Sequence, residues 1–212
     1  MRFIKLLSLL LTFAAAALAD GPRTIVFYGD SLTAGYGLDD SATQAFPGVI
    51  QQKIDEAGLG WRVVNAGLSG DTTSGGLRRI DWVLRRPADV FVLELGANDG
   101  LRGLPLELIR DNLNAIIDRV LAKNPATRVV LAGMRMPTSM GDYAPEFDAL
   151  FPELARERGL VFIPFLLEGV GGVPELNLPD GIHPTAEGHR RVAETVWPVI
   201  EPLLNATPAA RD

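Results

Sequence analysis

The stretch Asp89-Val90-Phe91-Val92-Leu93-Glu94-Leu95-Gly96 decides the fold of this chain. It is short, mostly apolar, and stopped by a glycine. Such a run fits a strand buried on both faces of a parallel sheet. The period then changes. Over residues 105–122, Leu106, Ile109, Leu113, Ile116, Ile117 and Val120 recur at helical spacing, with Pro105 at a permitted first-turn position. The alternation repeats outward in both directions. Residues 24–28, 62–65, 127–131 and 160–163 read as four more strands, and residues 47–57, 146–158 and 186–197 as helices. Pro198 and Pro202 are expected to end or kink the last helix. Five strands separated by helices imply right-handed βαβ units and a three-layer α/β/α sandwich.

A total of 212 residues, 47% apolar and 22% charged, suits a single globular domain and excludes collagen-like, coiled-coil and disordered classes. No repeat or linker-like segment divides the chain. Its first residues read as an export signal: Arg2 and Lys5 precede an apolar stretch over residues 6–17, followed by Ala17-Leu18-Ala19. The stretch is shorter than the roughly 18–20 residues of a spanning helix. Residues 1–19 are therefore expected to be a cleaved signal peptide and 20–212 the mature domain, periplasmic or secreted, with no integral membrane segment. Loss of Arg2 and Lys5 takes the formal charge from −6 to −8. That acidity argues against nucleic acid as a partner, because phosphate binding needs clustered Lys and Arg. The absence of cysteine excludes disulfides, thiolate catalysis and cysteine-ligated metals. A monomer is expected.

In open parallel sheets, ligands sit beyond the carboxyl ends of the strands. Here those ends carry Gly29-Asp30-Ser31-Leu32, Ser69-Gly70-Asp71-Thr72, Gly96-Ala97-Asn98-Asp99 and, after the fifth strand, Asp180-Gly181-Ile182-His183. Together they supply the parts of an acyl-transfer site. A serine hydroxyl needs a base to become a nucleophile, and His183 can be that base for Ser31. Asp180, three residues earlier, can orient the imidazole. The Gly70 N–H, the Asn98 side-chain amide and the Ser31 N–H are available as oxyanion donors. Taken singly, each residue reads as well as a turn or cap residue. Asp30, Asp71 and Asp99 look like loop and cap residues, with Asp30 also able to brace the nucleophile turn. His189, inside the last helix, reads as a structural histidine. Met134, Met136 and Met140 read equally as core or as the lining of an acyl groove.

In combination these blocks resemble the GDSL, or SGNH, hydrolase family, in the expected order and over essentially the whole mature chain. Gly29-Asp30-Ser31-Leu32 resembles the first block. Gly70 and Asn98 match the second-block glycine and third-block asparagine, and Asp180 and His183 the final D-x-x-H block. Residues 29–36, 94–103 and 180–184 are similar to the secreted bacterial thioesterase, lysophospholipase and arylesterase subgroup. The resemblance implies a flavodoxin-like five-stranded parallel sheet and a Ser31–Asp180–His183 triad. It further implies an oxyanion hole of Ser31, Gly70 and Asn98, no metal or cofactor, and small acyl esters or thioesters as substrates. Two alternatives share these residues: a polysaccharide acetyl esterase and a non-catalytic anion-binding module. Two segments depart from the subgroup: the glycine-rich Gly169-Val170-Gly171-Gly172-Val173-Pro174 and the methionine-rich 134–140. No G-x-S-x-G is present, so no strand–turn–helix elbow of the α/β-hydrolase type is expected.

Overall fold

The computed structural model describes residues 22–206. Strand β1 (Arg23–Gly29) leads into the four-residue helix α1 (Ser31–Ala34). Helices α2 (Ser41–Gln44) and α3 (Phe46–Glu56) precede β2 (Trp61–Asn65), and α4 (Thr73–Val83) precedes β3 (Val90–Glu94). Helices α5 (Ala97–Leu101) and α6 (Leu106–Lys123) lead to β4 (Arg128–Ala132). Helix α7 (Tyr143–Arg158), β5 (Val161–Ile163) and α8 (Ala186–Asn205) complete the described chain.

The five strands form one parallel sheet in the order β2-β1-β3-β4-β5. The chain moves from β1 outward to β2, then crosses to β3 on the other side of β1. This reversal makes the carboxyl ends of β1 and β3 the switch point, where a crevice opens. Right-handed crossovers put α3 on one face and α4, α6 and α7 on the other, and α8 returns to pack on α3. The three-layer expectation is met. The central strands are the driest part of the molecule: Ile25, Phe27, Phe91, Leu93, Val130 and Leu131 are fully buried. Each such side chain contributes roughly 1.5–3 kcal/mol by leaving water.

Three expectations change. Helix α8 does not stop before its prolines but runs through Pro198 and Pro202 to Asn205. Its stripe of Val192, Val196, Ile200 and Leu204 is buried, and continued packing offsets the backbone bonds the prolines lose. Helix α4 was not expected at all, because its start, Thr73-Ser74-Gly75-Gly76, reads as loop. Gly76 is there for contact: a Cβ on it would lie 2.4 Å from a Leu95 methyl. Finally, β1 does pass through a single residue, Asp30, into a helix at Ser31, so a short strand–turn–helix element exists without G-x-S-x-G. The predicted signal, residues 1–19, lies outside the described residues. Among the described residues no helix is long and apolar enough to cross a membrane.

Candidate active site

The turn that carries Ser31 is built by capping. Asp30 stands at the N-cap of α1 and accepts the Leu32 N–H at 3.0 Å. Gly35 closes the helix at φ +77°, a conformation glycine adopts without penalty. Ser31 begins the helix and is 8% exposed, so its hydroxyl faces the crevice from an otherwise buried position.

His183 arrives from the other end of the chain. Between β5 and α8, Asn177 pairs with Pro184 in an antiparallel bridge, and Leu178 donates its N–H to the His183 carbonyl at 2.7 Å. Gly181, at φ +70°, makes the tight turn inside this small hairpin. One oxygen of Asp180 accepts the N–H of Ile182 at 2.9 Å and of His183 at 3.0 Å. The other lies 2.7 Å from His183 Nδ1. Opposite, His183 Nε2 is 2.9 Å from Ser31 Oγ. A carboxylate at Nδ1 keeps the proton there and leaves Nε2 to accept from the serine. Asp180 is held down to about pKa 2, chiefly by the His183 N–H. The Tyr36 ring packs 4.6 Å from the imidazole.

Asn98 sits in the first turn of α5 and donates its side-chain N–H to Asp30 at 3.0 Å. Its second amide hydrogen remains for a ligand. Gly70, at φ +78°, lies in the loop from β2 to α4, and its carbonyl accepts from Arg102 at 3.4 Å. Of the five predicted site residues, Ser31, Asn98 and His183 line a cavity of about 420 Å³. Asp180 stands behind His183, and Gly70 is outside the cavity lining. The remaining wall is largely apolar, with Leu101, Met134, Met136, Phe165, Leu167 and Ile182. Met134 and Met136 are thus both nearly buried and groove-lining, whereas Met140 only packs against the core. Gly171 and Gly172 reach the cavity, and Asn177 ties their segment down by donating to the Val170 and Val173 carbonyls at 2.7 Å each.

Beneath the site, sequence reasoning passed over Arg79 and Glu94 and read Asp71 and Asp99 only as loop and cap residues. Arg79 pairs with Asp71 at 2.6 Å and donates to the carbonyls of Ala66 and Gly29. It thereby clamps together the loops that follow β2 and β1, with its guanidinium 4.0 Å from the Tyr28 ring centroid. Asp99 is fully buried and accepts both the N–H and the hydroxyl of Thr73, joining the third-block loop to the second. Glu94 is also fully buried, against the same turn as Ser31. Its signal was readable, since a carboxylate in a strand buried on both faces is anomalous. Arg79 had no such signal, because an arginine in an unrecognised helix looks like surface.

Comparison with known proteins shows the family. The chain is 39% identical over 198 residues to Esterase TesA of Pseudomonas aeruginosa, covering 92% of this chain and 94% of that protein. It is 38% identical over 198 residues to the Thioesterase 1/protease 1/lysophospholipase L1 of Escherichia coli, covering 92% and 90%. Among solved structures, TesA superposes with a TM-score of 0.80 at 37% identity, covering 85% of this chain and 99% of that one. The SGNH-hydrolase family esterase AlinE4 does so at 0.70 and 37%, covering 89% and 100%. The model of the GDSL-like lipase/acylhydrolase family matches residues 27–191, and the chain belongs to that family.

Proposed function

We propose that this protein is an exported serine esterase that hydrolyses carboxylic esters and acyl thioesters through an acyl-enzyme on Ser31. The observation that carries the reading is the relay Ser31 Oγ–His183 Nε2 at 2.9 Å and His183 Nδ1–Asp180 Oδ2 at 2.7 Å. As His183 takes the hydroxyl proton, Ser31 Oγ bonds to the acyl carbon and the carbonyl π pair moves onto oxygen. The Ser31 N–H and the Asn98 amide, both at the cavity, receive that oxyanion, with the Gly70 N–H as third donor from the neighbouring loop that Arg102 contacts. The carbon–oxygen or carbon–sulfur bond then breaks, and His183 returns its proton to the leaving group. Water repeats the sequence: His183 takes its proton, hydroxide oxygen bonds to the acyl carbon, and Ser31 leaves with the proton. Asp180 favours the imidazolium at each stage.

The apolar wall of Leu101, Met134, Met136 and Ile182 suits an acyl chain better than a sugar, which favours acyl esters over acetylated polysaccharide. Names among the relatives, esterase, arylesterase and thioesterase 1/protease 1/lysophospholipase L1, point the same way. Export rests on the N-terminal pattern of Arg2, Lys5 and Ala17-Leu18-Ala19, with the mature protein a monomer needing no metal or cofactor. The test is hydrolysis of para-nitrophenyl butyrate and of an acyl thioester by the purified protein, together with fluorophosphonate labelling. One label, on Ser31, with turnover of both substrates is expected. Full turnover with no label, or a label on another residue, overturns the assignment.

A further inference from the structure

Strand β3 is buried at every position, yet its last residue is an acid. Glu94 is completely inaccessible, and its Oε1 finds no hydrogen-bond partner among the described residues. A buried carboxyl with one oxygen unpartnered is costly, so its retention needs a reason. The other oxygen supplies one. Oε2 accepts the Asp30 N–H at 3.2 Å and the Thr33 hydroxyl at 2.7 Å, one bond on either side of Ser31. The strand register sets Gly29 directly opposite Glu94. A Cβ on Gly29 would lie 2.3 Å from Oε2 and 2.1 Å from the Thr33 hydroxyl oxygen, so only glycine lets the acid reach the turn. The connection continues upward, because the Asp30 carboxylate holds both the Leu32 N–H and the Asn98 amide.

We propose that Glu94 is a positioning residue that fixes the Ser31 turn on β3 and, through Asp30, aligns the Asn98 amide with it. The proposal rests on the reading of Ser31 as nucleophile. Glu94 acts as a neutral acid: burial, and then the neighbouring Asp30 carboxyl, push its pKa well above the ordinary range. Its unprotonated oxygen is the acceptor for both bonds. Glutamine, neutral at every pH and of the same shape, reproduces that acceptor, whereas leucine removes it.

The experiment compares Glu94→Gln, Glu94→Leu, Thr33→Val and Ser31→Ala for kcat and KM on para-nitrophenyl butyrate from pH 5 to 9. Fluorophosphonate labelling rate and melting temperature are measured alongside. Glu94→Leu is expected to lose about 10²-fold in kcat with KM little changed, and to label correspondingly slowly, the effect of a misplaced reacting group. Glu94→Gln is expected to restore kcat and labelling to near the wild-type rate across the range. Thr33→Val, which deletes one of the two bonds, falls between. A folded Glu94→Leu protein with wild-type kcat and labelling overturns the proposal. So does a Glu94→Gln protein as slow as Glu94→Leu. Where Glu94→Leu does not fold, Thr33→Val decides, and an unchanged kcat overturns it. Activity surviving in Ser31→Ala refutes the serine-esterase reading instead, whatever the Glu94 variants do.

Discussion

Phe46 donates its backbone N–H to Nδ1 of His189 at 3.2 Å, so the start of α3 is capped by a side chain 143 residues away on α8. Ala45, at the N-cap position itself, offers no side-chain oxygen. A ring that accepts at Nδ1 must be neutral. Burial accordingly lowers the His189 pKa to about 4, with the His183 charge a lesser cause. Between about pH 4 and 6.5 the unfolded chain binds the proton and the folded one does not. Stability therefore rises with pH through that window, by about 3 kcal/mol in all. His189→Leu should lose the Phe46 bond at every pH and remove this part of the pH slope in denaturant titrations. An unchanged slope would mean that other groups set it. His189→Ala should leave kcat nearly intact while lowering stability by about 2–4 kcal/mol, the cost of a cavity and an orphaned N–H.

On the proposed mechanism, Ser31, His183 and the oxyanion donors act as one device. Ser31→Ala and His183→Ala should each lower kcat by at least about 10³-fold, and the double variant should lose little more. Losses that multiply would count against a shared step.

Asp180→Asn keeps the shape of the hairpin turn but offers Nδ1 no anion. The expected loss is about 10²–10⁴-fold in kcat, with KM within a few-fold, because the imidazolium loses its counter-charge and the tautomer its restraint. Since Asp180 is held near pKa 2, it stays ionised through the working range and adds no limb to the rate profile of the wild type. Steady-state kinetics from pH 4 to 9 checks both points.

Asp30 is 1% exposed, and burial raises its carboxyl to about pKa 6. In this case the folded state is the better proton binder between about pH 4 and 6. Stability therefore falls as pH rises through that window. Asp30→Asn should be more stable than the wild type at pH 8 and less active, because the charge that orients Asn98 is gone. Thermal melts at pH 5 and pH 8 measure it, and a variant less stable at both refutes the sign.

The groove predicts a chain-length series. Each methylene that fits along Leu101, Met134, Met136 and Ile182 should add up to about 0.8 kcal/mol, roughly fourfold in kcat/KM, until the cavity ends. Met134→Trp should leave acetyl ester turnover in place and cut octanoyl ester turnover. Equal effects on both would place the chain elsewhere.

How much of this was legible beforehand depended on which physics dominates each element. The strands announced themselves because burial on both faces leaves a continuous apolar run, as in residues 89–95. The candidate site residues were readable because they fall in loops after strand ends, and the structure brings Ser31, Asn98 and His183 from those loops to one cavity. Helix α4 was hidden because Gly75 and Gly76 are selected by tertiary contact with Asp71 and Leu95, against their local propensity. The end of α8 was misjudged for the same reason: proline's local cost is visible, whereas the burial that outweighs it is not. Arg79 and Asp99 join loops distant in sequence, and no spacing rule reaches across them.

The bond between Ser31 and His183 spans 152 residues. Neither half of the relay is chemically unusual before the two meet, since a lone serine is inert and a lone imidazole is a weak base. Assembly of the last loop against the first is therefore also the moment at which reactivity is switched on. Until α8 and the hairpin before it have docked, the chain holds a serine and an imidazole with no relay between them.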